Sequence, residues 1–149
     1  MKVADILALK GAVIITIPPS ETIGAFSLLL REKRIGAAVV SRDGHTVDGV
    51  ISERDIAYGL AAHQGGLHAL PVSALMTKTV ITCTLKDPIA LVASTMLARN
   101  IRHLPVVENK RLVGMVSMRD VLGVRVDELQ RVAAMLRTST MHVETQDRE

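Results

Sequence analysis

Gly49-Val50-Ile51-Ser52-Glu53-Arg54-Asp55 reappears downstream as Gly114-Met115-Val116-Ser117-Met118-Arg119-Asp120, so one chain carries the same seven-residue pattern twice. In each copy a glycine and two apolar residues read as the end of a strand, and Ser-x-x-Asp reads as the start of a helix. Asp55 and Asp120 stand 65 positions apart, whereas Ile35 and Ile101, further upstream, stand 66 apart, so the first copy holds one extra residue in its hairpin. At the larger offset Thr16 matches Thr82, Glu21 matches Asp87, Ile23 matches Ile89 and Val40 matches Val106. A fixed internal period means that the fold is built from a repeated supersecondary unit.

Each copy presents the same order of signals. A short apolar strand comes first, Val13 to Ile17 and Val80 to Cys83. A helix follows, announced by Asp87-Pro88 in the second copy, where the carboxylate accepts from a free amide and proline loses no bond. Ile89, Val92, Ala93 and Met96 form its apolar face. The first copy opens its helix at Ser20-Glu21, with Ile23, Phe26 and Leu30 at helical spacing. Two strands come next, Gly36 to Val40 then Val47 to Ile51, and Leu104 to Val107 then Leu112 to Val116. Asp43-Gly44 and Glu108-Asn109-Lys110 supply the turns. A second helix begins at each Ser-x-x-Asp. The expected fold is α/β, of the α+β kind: two β-α-β-β-α units packed about a pseudo-twofold axis so that their sheets share a core.

Residues 1–64 form the first unit, 65–123 the second, and 124–149 an added C-terminal helix with a polar tail. In that helix Val126, Leu129, Ala133 and Leu136 recur at helical spacing, and Asp127 precedes Arg131 by one turn. Such a helix docks on its own core or on a twin subunit, and a homodimer contact is the favoured expectation. Thr138-Ser139-Thr140 and Glu144 to Glu149 are polar and expected to fray.

At 149 residues with 48% hydrophobic content, the chain is long enough to bury about 70% of its unfolded surface as one domain. Its apolar runs are too short for a membrane span, and Met1-Lys2-Val3-Ala4-Asp5 lacks the pattern of a signal peptide, which points to the cytoplasm. Cys83 is the only cysteine, which excludes an intrachain disulfide and, from its strand position, reads as a buried apolar residue. The 18 Lys and Arg against 15 Asp and Glu leave a net charge of +3, spread without a stripe. With only Phe26 and Tyr58 as aromatics, nucleic-acid binding by base stacking has no support. His45, His63, His68, His103 and His142 show no metal-binding spacing, and no Walker loop is present. His63 and His68 flank Gln64-Gly65-Gly66-Leu67, read as a flexible surface linker. No catalytic constellation, catalytic cofactor or metal is expected, so the chain is not read as an enzyme.

The doubled junction admits two readings. Ser-x-x-Asp ahead of an apolar helix is also a capping box that satisfies free backbone amides and does nothing more. A strand running into a helix, however, offers unpaired N–H groups and the positive end of the helix dipole, a setting that favours phosphate. Arg54 and Arg119 would add charge-assisted bonds. Asp55 and Asp120 can each accept from two vicinal hydroxyls, as on a ribose, and Ser52 and Ser117 can donate to ribose or phosphate. Ile35-Gly36-Ala37-Ala38-Val39 and Ile101-Arg102-His103-Leu104-Pro105 supply apolar segments for a flat base, with Thr16 and Thr82 on the opposite strands. His103 stands between core-edge packing and ligand contact. The inventory fits a nucleoside phosphate held against aliphatic side chains.

These residues resemble the cystathionine β-synthase, or CBS, domain pair. The similarity lies in Val72-Ser73-Ala74-Leu75-Met76-Thr77 leading into Val80-Ile81-Thr82, in Ile101-Arg102-His103-Leu104-Pro105-Val106-Val107, and in both Gly-x-x-Ser-x-x-Asp junctions, and it extends from Val3 to about Leu122. The first unit departs from the pattern, since Asp5-Ile6-Leu7 lacks the Met-Thr and Ala38-Val39 replaces Leu-Pro. The resemblance implies a Bateman module, non-catalytic and regulatory, that binds AMP, ADP, ATP, NAD(H) or S-adenosylmethionine in two clefts, forms a homodimer and signals to a partner protein. It implies that Asp55 and Asp120 hold ribose hydroxyls, that Ser52 and Ser117 lie near ribose or phosphate, and that Arg54 and Arg119 meet phosphate. It places base-contacting backbone near Thr16, Ile17, Ala37 and Ala38 in one cleft, and near Thr82, Cys83, His103, Leu104 and Pro105 in the other.

Overall fold

The two middle strands of each unit form an antiparallel hairpin, and everything else is arranged on these hairpins. The computed structural model describes residues 1–11 and 13–146, with side chains to residue 140. In the first unit β2 (Ala37–Val40) pairs with β3 (Gly49–Ser52), Ala38 facing Ile51, and β1 (Thr16–Ile17) joins β2 in parallel. In the second, β4 (His103–Glu108) pairs with β5 (Arg111–Ser117), Leu104 facing Val116. There the third strand shrinks to one parallel bridge from Cys83 to Val106, the counterpart of Ile17 on Val40.

The outer strands expected over 13–17 and 80–83 are thus only two residues and one residue long. In the second unit the cause is Pro105. Cys83 donates to the Pro105 carbonyl and accepts from Val107 N–H, and the next rung upstream would need an amide hydrogen that proline lacks. Val39, at the matching place in the first unit, keeps its N–H and pairs with Thr16. The chain upstream of each short strand leaves the sheet.

Helix α2 (Ile23–Lys33) starts two residues later than Ser20 suggests, with Thr22 Oγ1 accepting from Ala25 N–H at 3.0 Å. Helix α4 (Ile89–Arg99) follows Pro88. Asp87 does not cap it; its carboxylate accepts from Thr84 N–H at 2.8 Å and tightens the preceding turn. Both helices end on a left-handed residue, Arg34 and Asn100, each at φ 52°. In the turn between β4 and β5, Asn109 and Lys110 have φ 50° and 62°, the signature of a type I′ hairpin. The longer loop after β2 is held by Asp43, which accepts from Thr46 Oγ1 and from the amides of Thr46 and His45. Those bonds, led by the Thr46 hydroxyl, hold its carboxyl well below the usual range.

Helix α3 (Glu53–His63) follows Ser52, and α5 (Met118–Gln146) follows Ser117. Helix α5 crosses residue 124 without a break, so the expected C-terminal helix is continuous with the last helix of the second unit. It also contains Thr138-Ser139-Thr140, which were expected to fray; the Thr138 and Thr140 hydroxyls bond back to the carbonyls four residues earlier, each at 3.0 Å. Of the expected polar tail, Glu144–Gln146 are helical, and 147–149 lie outside the described residues.

Helix α1 (Val3–Lys10) was not anticipated, and it crosses to the second unit. Val3 and Ile6 are buried with Ile89, Val92, Met96, Leu104, Val106 and Val116, and Val3 N–H donates to the Asp87 carbonyl. The segment before the second unit makes the reciprocal move. The linker folds into two 3-10 turns, Gln64–Ala69 and Val72–Ala74, and buries Leu67 and Val72 against Phe26, Ala38, Val40 and Ile51 of the first unit. Paired bridges, Lys2 with Pro88 and Thr22 with Pro71, record the exchange. The linker is therefore seated rather than loose, although His63 and His68 are exposed as expected.

The exchange explains the glycine of the repeated pattern. A Cβ on Gly49 would lie 2.7 Å from Met76 Sδ and 2.9 Å from the Thr77 carbonyl oxygen; on Gly114 it would lie 2.7 Å from Leu7 Cδ1. Each glycine makes room for the segment crossing from the other half. Gly49→Val, pressed against backbone, should destabilise the protein by about 1–3 kcal/mol, whereas Gly114→Ala meets a side chain that can turn aside and should lose less. Urea unfolding of both variants checks the order.

Candidate functional site

Each strand-to-helix junction faces the strand approaches of the opposite unit across a cleft. The first cleft, about 440 Å³, is walled by Ser52, Glu53, Arg54 and Asp55 on one side, and by Thr79, Val80, Ile81 and Asn100 to His103 on the other. The second, about 430 Å³, sets Ser117, Met118 and Arg119 against Lys10, Gly11, Val13, Ile15 and Arg34 to Ala37. The extended chain that failed to join the sheets, residues 13–15 and 79–81, has become cleft wall.

At the first junction Ser52 N–H donates to Asp55 Oδ2 at 2.8 Å, and the Ser52 hydroxyl donates to the same oxygen at 3.2 Å. At the second, Ser117 N–H donates to Asp120 Oδ2 at 2.9 Å, and Asp120 N–H donates to Ser117 Oγ at 3.1 Å. The helix-capping reading is therefore geometrically real at both places. It engages one carboxylate oxygen in each, and Oδ1 of either acid carries no protein hydrogen bond among the described residues.

The junctions differ in their cations. Arg54 Nη1 donates to the Asn100 carbonyl at 2.9 Å, which pins it to the other unit at the cleft wall. Arg119 is exposed on the wall of the second cleft. Among the described residues Asp120 has a partner with no counterpart at Asp55: Lys10 Nζ lies 2.8 Å from Asp120 Oδ2 and 2.8 Å from the Met115 carbonyl oxygen. Burial pushes the Asp120 carboxyl up, but the hydrogen bonds from Lys10 and from Ser117 N–H outweigh it and leave the group below its ordinary value.

His103 lines both clefts. Burial pushes its imidazole below the ordinary 6.5, opposed by the nearby charges of Glu53 and Asp120. Cys83 is buried in the second core, where burial and then the charge of Asp87 raise its thiol to about 12; it stays protonated at neutral pH and is no nucleophile.

Of the residues expected at the site, Ser52, Arg54 and Asp55 line the first cleft, Ala37, Ser117 and Arg119 the second, and His103 both. Thr16, Ile17, Ala38, Thr82, Cys83, Leu104 and Pro105 line neither. Ile17, Ala38, Cys83, Leu104 and Pro105 are buried in the cores instead. Asp120 is not on the wall, since Lys10 stands there. Ala37 of the first unit lines the cleft of the second junction, so each junction faces residues of the opposite unit. Lys10, Arg34, Thr79 and Arg102 were missed; the 66-residue period relates Arg34 to Asn100 and Val13 to Thr79, but not to the junction that each faces. Among the described residues no cluster of three or more His, Cys, Asp or Glu could hold a metal ion, and no helix is long and apolar enough to cross a membrane.

The family profile described as CBS domain matches residues 4–62 and 72–127, the two units in turn. The chain belongs to the CBS domain family. It is 30% identical over 118 residues to the CBS domain-containing protein CBSCBSPB5 of Arabidopsis thaliana, covering 78% of this chain but only 21% of that much longer relative. Among solved structures, the CBS-domain containing protein ATU1752 from Agrobacterium tumefaciens superposes with a TM-score of 0.81 at 35% identity, over 84% of this chain and 99% of that one. Protein PAE2072 from Pyrobaculum aerophilum, complexed with AMP, gives 0.71 at 32% identity, over 80% and 89%. The CBS domain pair of protein MJ0100, in complex with 5′-methylthioadenosine and S-adenosyl-L-methionine, gives 0.75 at 28% identity, over 86% and 98%.

The state of His103 has a measurable consequence. Because its folded pKa lies below the ordinary 6.5, the unfolded chain takes up that proton first, so stability falls as pH drops below about 6.5. His103→Gln should flatten that part of the stability profile, read by urea unfolding at about pH 7.5 and about pH 5.5.

Proposed function

We propose that this CBS pair is a non-catalytic, cytoplasmic regulatory module that binds adenosine nucleotides (AMP, ADP, ATP or NAD(H)) in its clefts and transmits occupancy to a partner protein. The observation that carries the reading is the pair of junction acids, each using one oxygen to cap its helix and keeping Oδ1 free. Asp55 does so on the wall of a nucleotide-sized cleft. In this reading Asp55 and Asp120 hold ribose hydroxyls, Ser52 and Ser117 lie against ribose or phosphate, and Arg54 and Arg119 face phosphate beside the helix starts. The base lies against Val80, Ile81 and Ile101 in the first cleft, and against Val13, Ile15 and Ile35 in the second. The complexes of PAE2072 with AMP and of MJ0100 with two adenosine compounds support this ligand class.

The observed capping geometry also favours a second reading, in which the pairs only cap helices and the clefts serve a structural, dimerising module. Asp55→Asn separates the two, because its amide oxygen can still accept from Ser52 N–H while the charge is gone. Under the nucleotide reading this variant loses about ten- to a hundredfold in AMP affinity at the first cleft by calorimetry. Its melting temperature without ligand should change little. A ligand at about 100 times its dissociation constant should stabilise the unsubstituted chain by about 2.7 kcal/mol; no shift with AMP, ATP, NAD or NADH would favour the structural reading.

We place the homodimer contact on α5. Leu122, Val126, Leu129 and Leu136 share one face and are 57%, 49%, 69% and 64% exposed, a row that a second copy would cover. Leu129→Lys should shift the protein from dimer to monomer in sedimentation equilibrium.

A further inference from the structure

The two clefts are nearly equal in size and unlike in charge. The first sets Arg54 and Arg102 against Glu53 and Asp55. The second presents Lys10, Arg34, Arg102 and Arg119, with no carboxylate on its wall among the described residues. The carboxylate that would match Asp55 is Asp120, and it is bonded at 2.8 Å to Lys10 Nζ. The linker segment that mirrors α1 brings Thr77 and Thr79, neutral residues, to the first cleft.

We propose that Lys10 determines ligand specificity, making the second cleft selective for phosphate-bearing adenosine ligands while the first also accepts uncharged ones. This rests on the nucleotide reading given above and extends it. Asp120 is absent from the cleft wall, where Lys10 stands, so for a ribose to reach its free Oδ1 the ammonium must move aside from a carboxylate whose side chain is only 21% exposed. An uncharged nucleoside offers that ammonium no new partner, so the exchange gives up the ion pair and leaves the ammonium beside three arginines. A phosphate offers one, and the arginines add to its hold. Lys10 then moves from carboxylate to phosphate, and the freed carboxylate takes the diol. Asp55 has no such partner to release, and the balanced first cleft has no preference of this kind.

Calorimetry with ATP and with 5′-methylthioadenosine tests this, using Asp55→Asn to report the second cleft and Asp120→Asn to report the first. In the Asp55→Asn background ATP should bind at least about a hundredfold more tightly than 5′-methylthioadenosine, and in the Asp120→Asn background the two should differ by less than about tenfold. Adding Lys10→Met to Asp55→Asn should tighten 5′-methylthioadenosine and weaken ATP, each by about tenfold or more, whereas Lys10→Arg should keep the preference for ATP. Equal binding of both ligands in the second cleft, or a Lys10→Met variant that alters neither, overturns the proposal. Binding of both ligands confined to the first cleft overturns it while leaving the nucleotide reading intact; no binding of either ligand to the unsubstituted chain overturns both.

Discussion

The reciprocal crossing of α1 and the linker is the constraint on which the rest of the molecule depends. A sheet of two or three short strands, covered by one helix, leaves a wide apolar face in water. Here each face is closed by a segment that precedes the other unit, Val3 and Ile6 on one side, Leu67 and Val72 on the other. Neither unit has a complete core without its opposite, so the two halves are bound into one cooperative structure. The glycines at 49 and 114 belong to this arrangement, because a Cβ there would press on the crossing segment, on Thr77 backbone at 49 and on the Leu7 side chain at 114.

The same crossing creates the clefts. Because α1 and the linker lead into the short outer strands from the far side, residues 13–15 and 79–81 run opposite the junction of the other unit instead of extending their own sheets. Short outer strands are thus what leaves room between the units. Pro105 enforces this in one half by ending the ladder at Cys83. A carboxylate has two oxygens and the helix cap engages one, so each junction acid keeps the other for the ligand contact proposed above.

Much of this was legible in the sequence. The doubled Ser-x-x-Asp pattern and its period reveal two units, four of the strands and the helices that follow them, because alternation within the hairpins and spacing within the helices are strong local signals. What local pattern cannot distinguish is an apolar run that pairs from one that merely lines a cavity, and so Val13 to Ile15 and Val80 to Ile81 read as strand. Helix α1 escaped notice because only two of its residues, Val3 and Ile6, are buried, too few to mark a period. The supposed boundary at 124 follows from treating the repeat as a closed unit, whereas a helix continues as long as its backbone bonds do. Of the site, the junction residues were visible because they recur. Lys10 was not, since its partner lies 110 positions away and no period predicts a contact that exists in one half only.

That asymmetry bears on what a duplicated fold can do. Two identical clefts would report the concentration of one ligand with two equal sites. Once one junction acid is paired with an ammonium and the other is not, the two clefts present different chemistry on similar hairpins. His103 touches both cavities, and its ring lies within the electrostatic reach of Glu53 on one side and of Asp120 and Lys10 on the other. Gly36 and Arg102 line both cavities as well, so the asymmetry at the second junction lies against a wall that the first cleft shares.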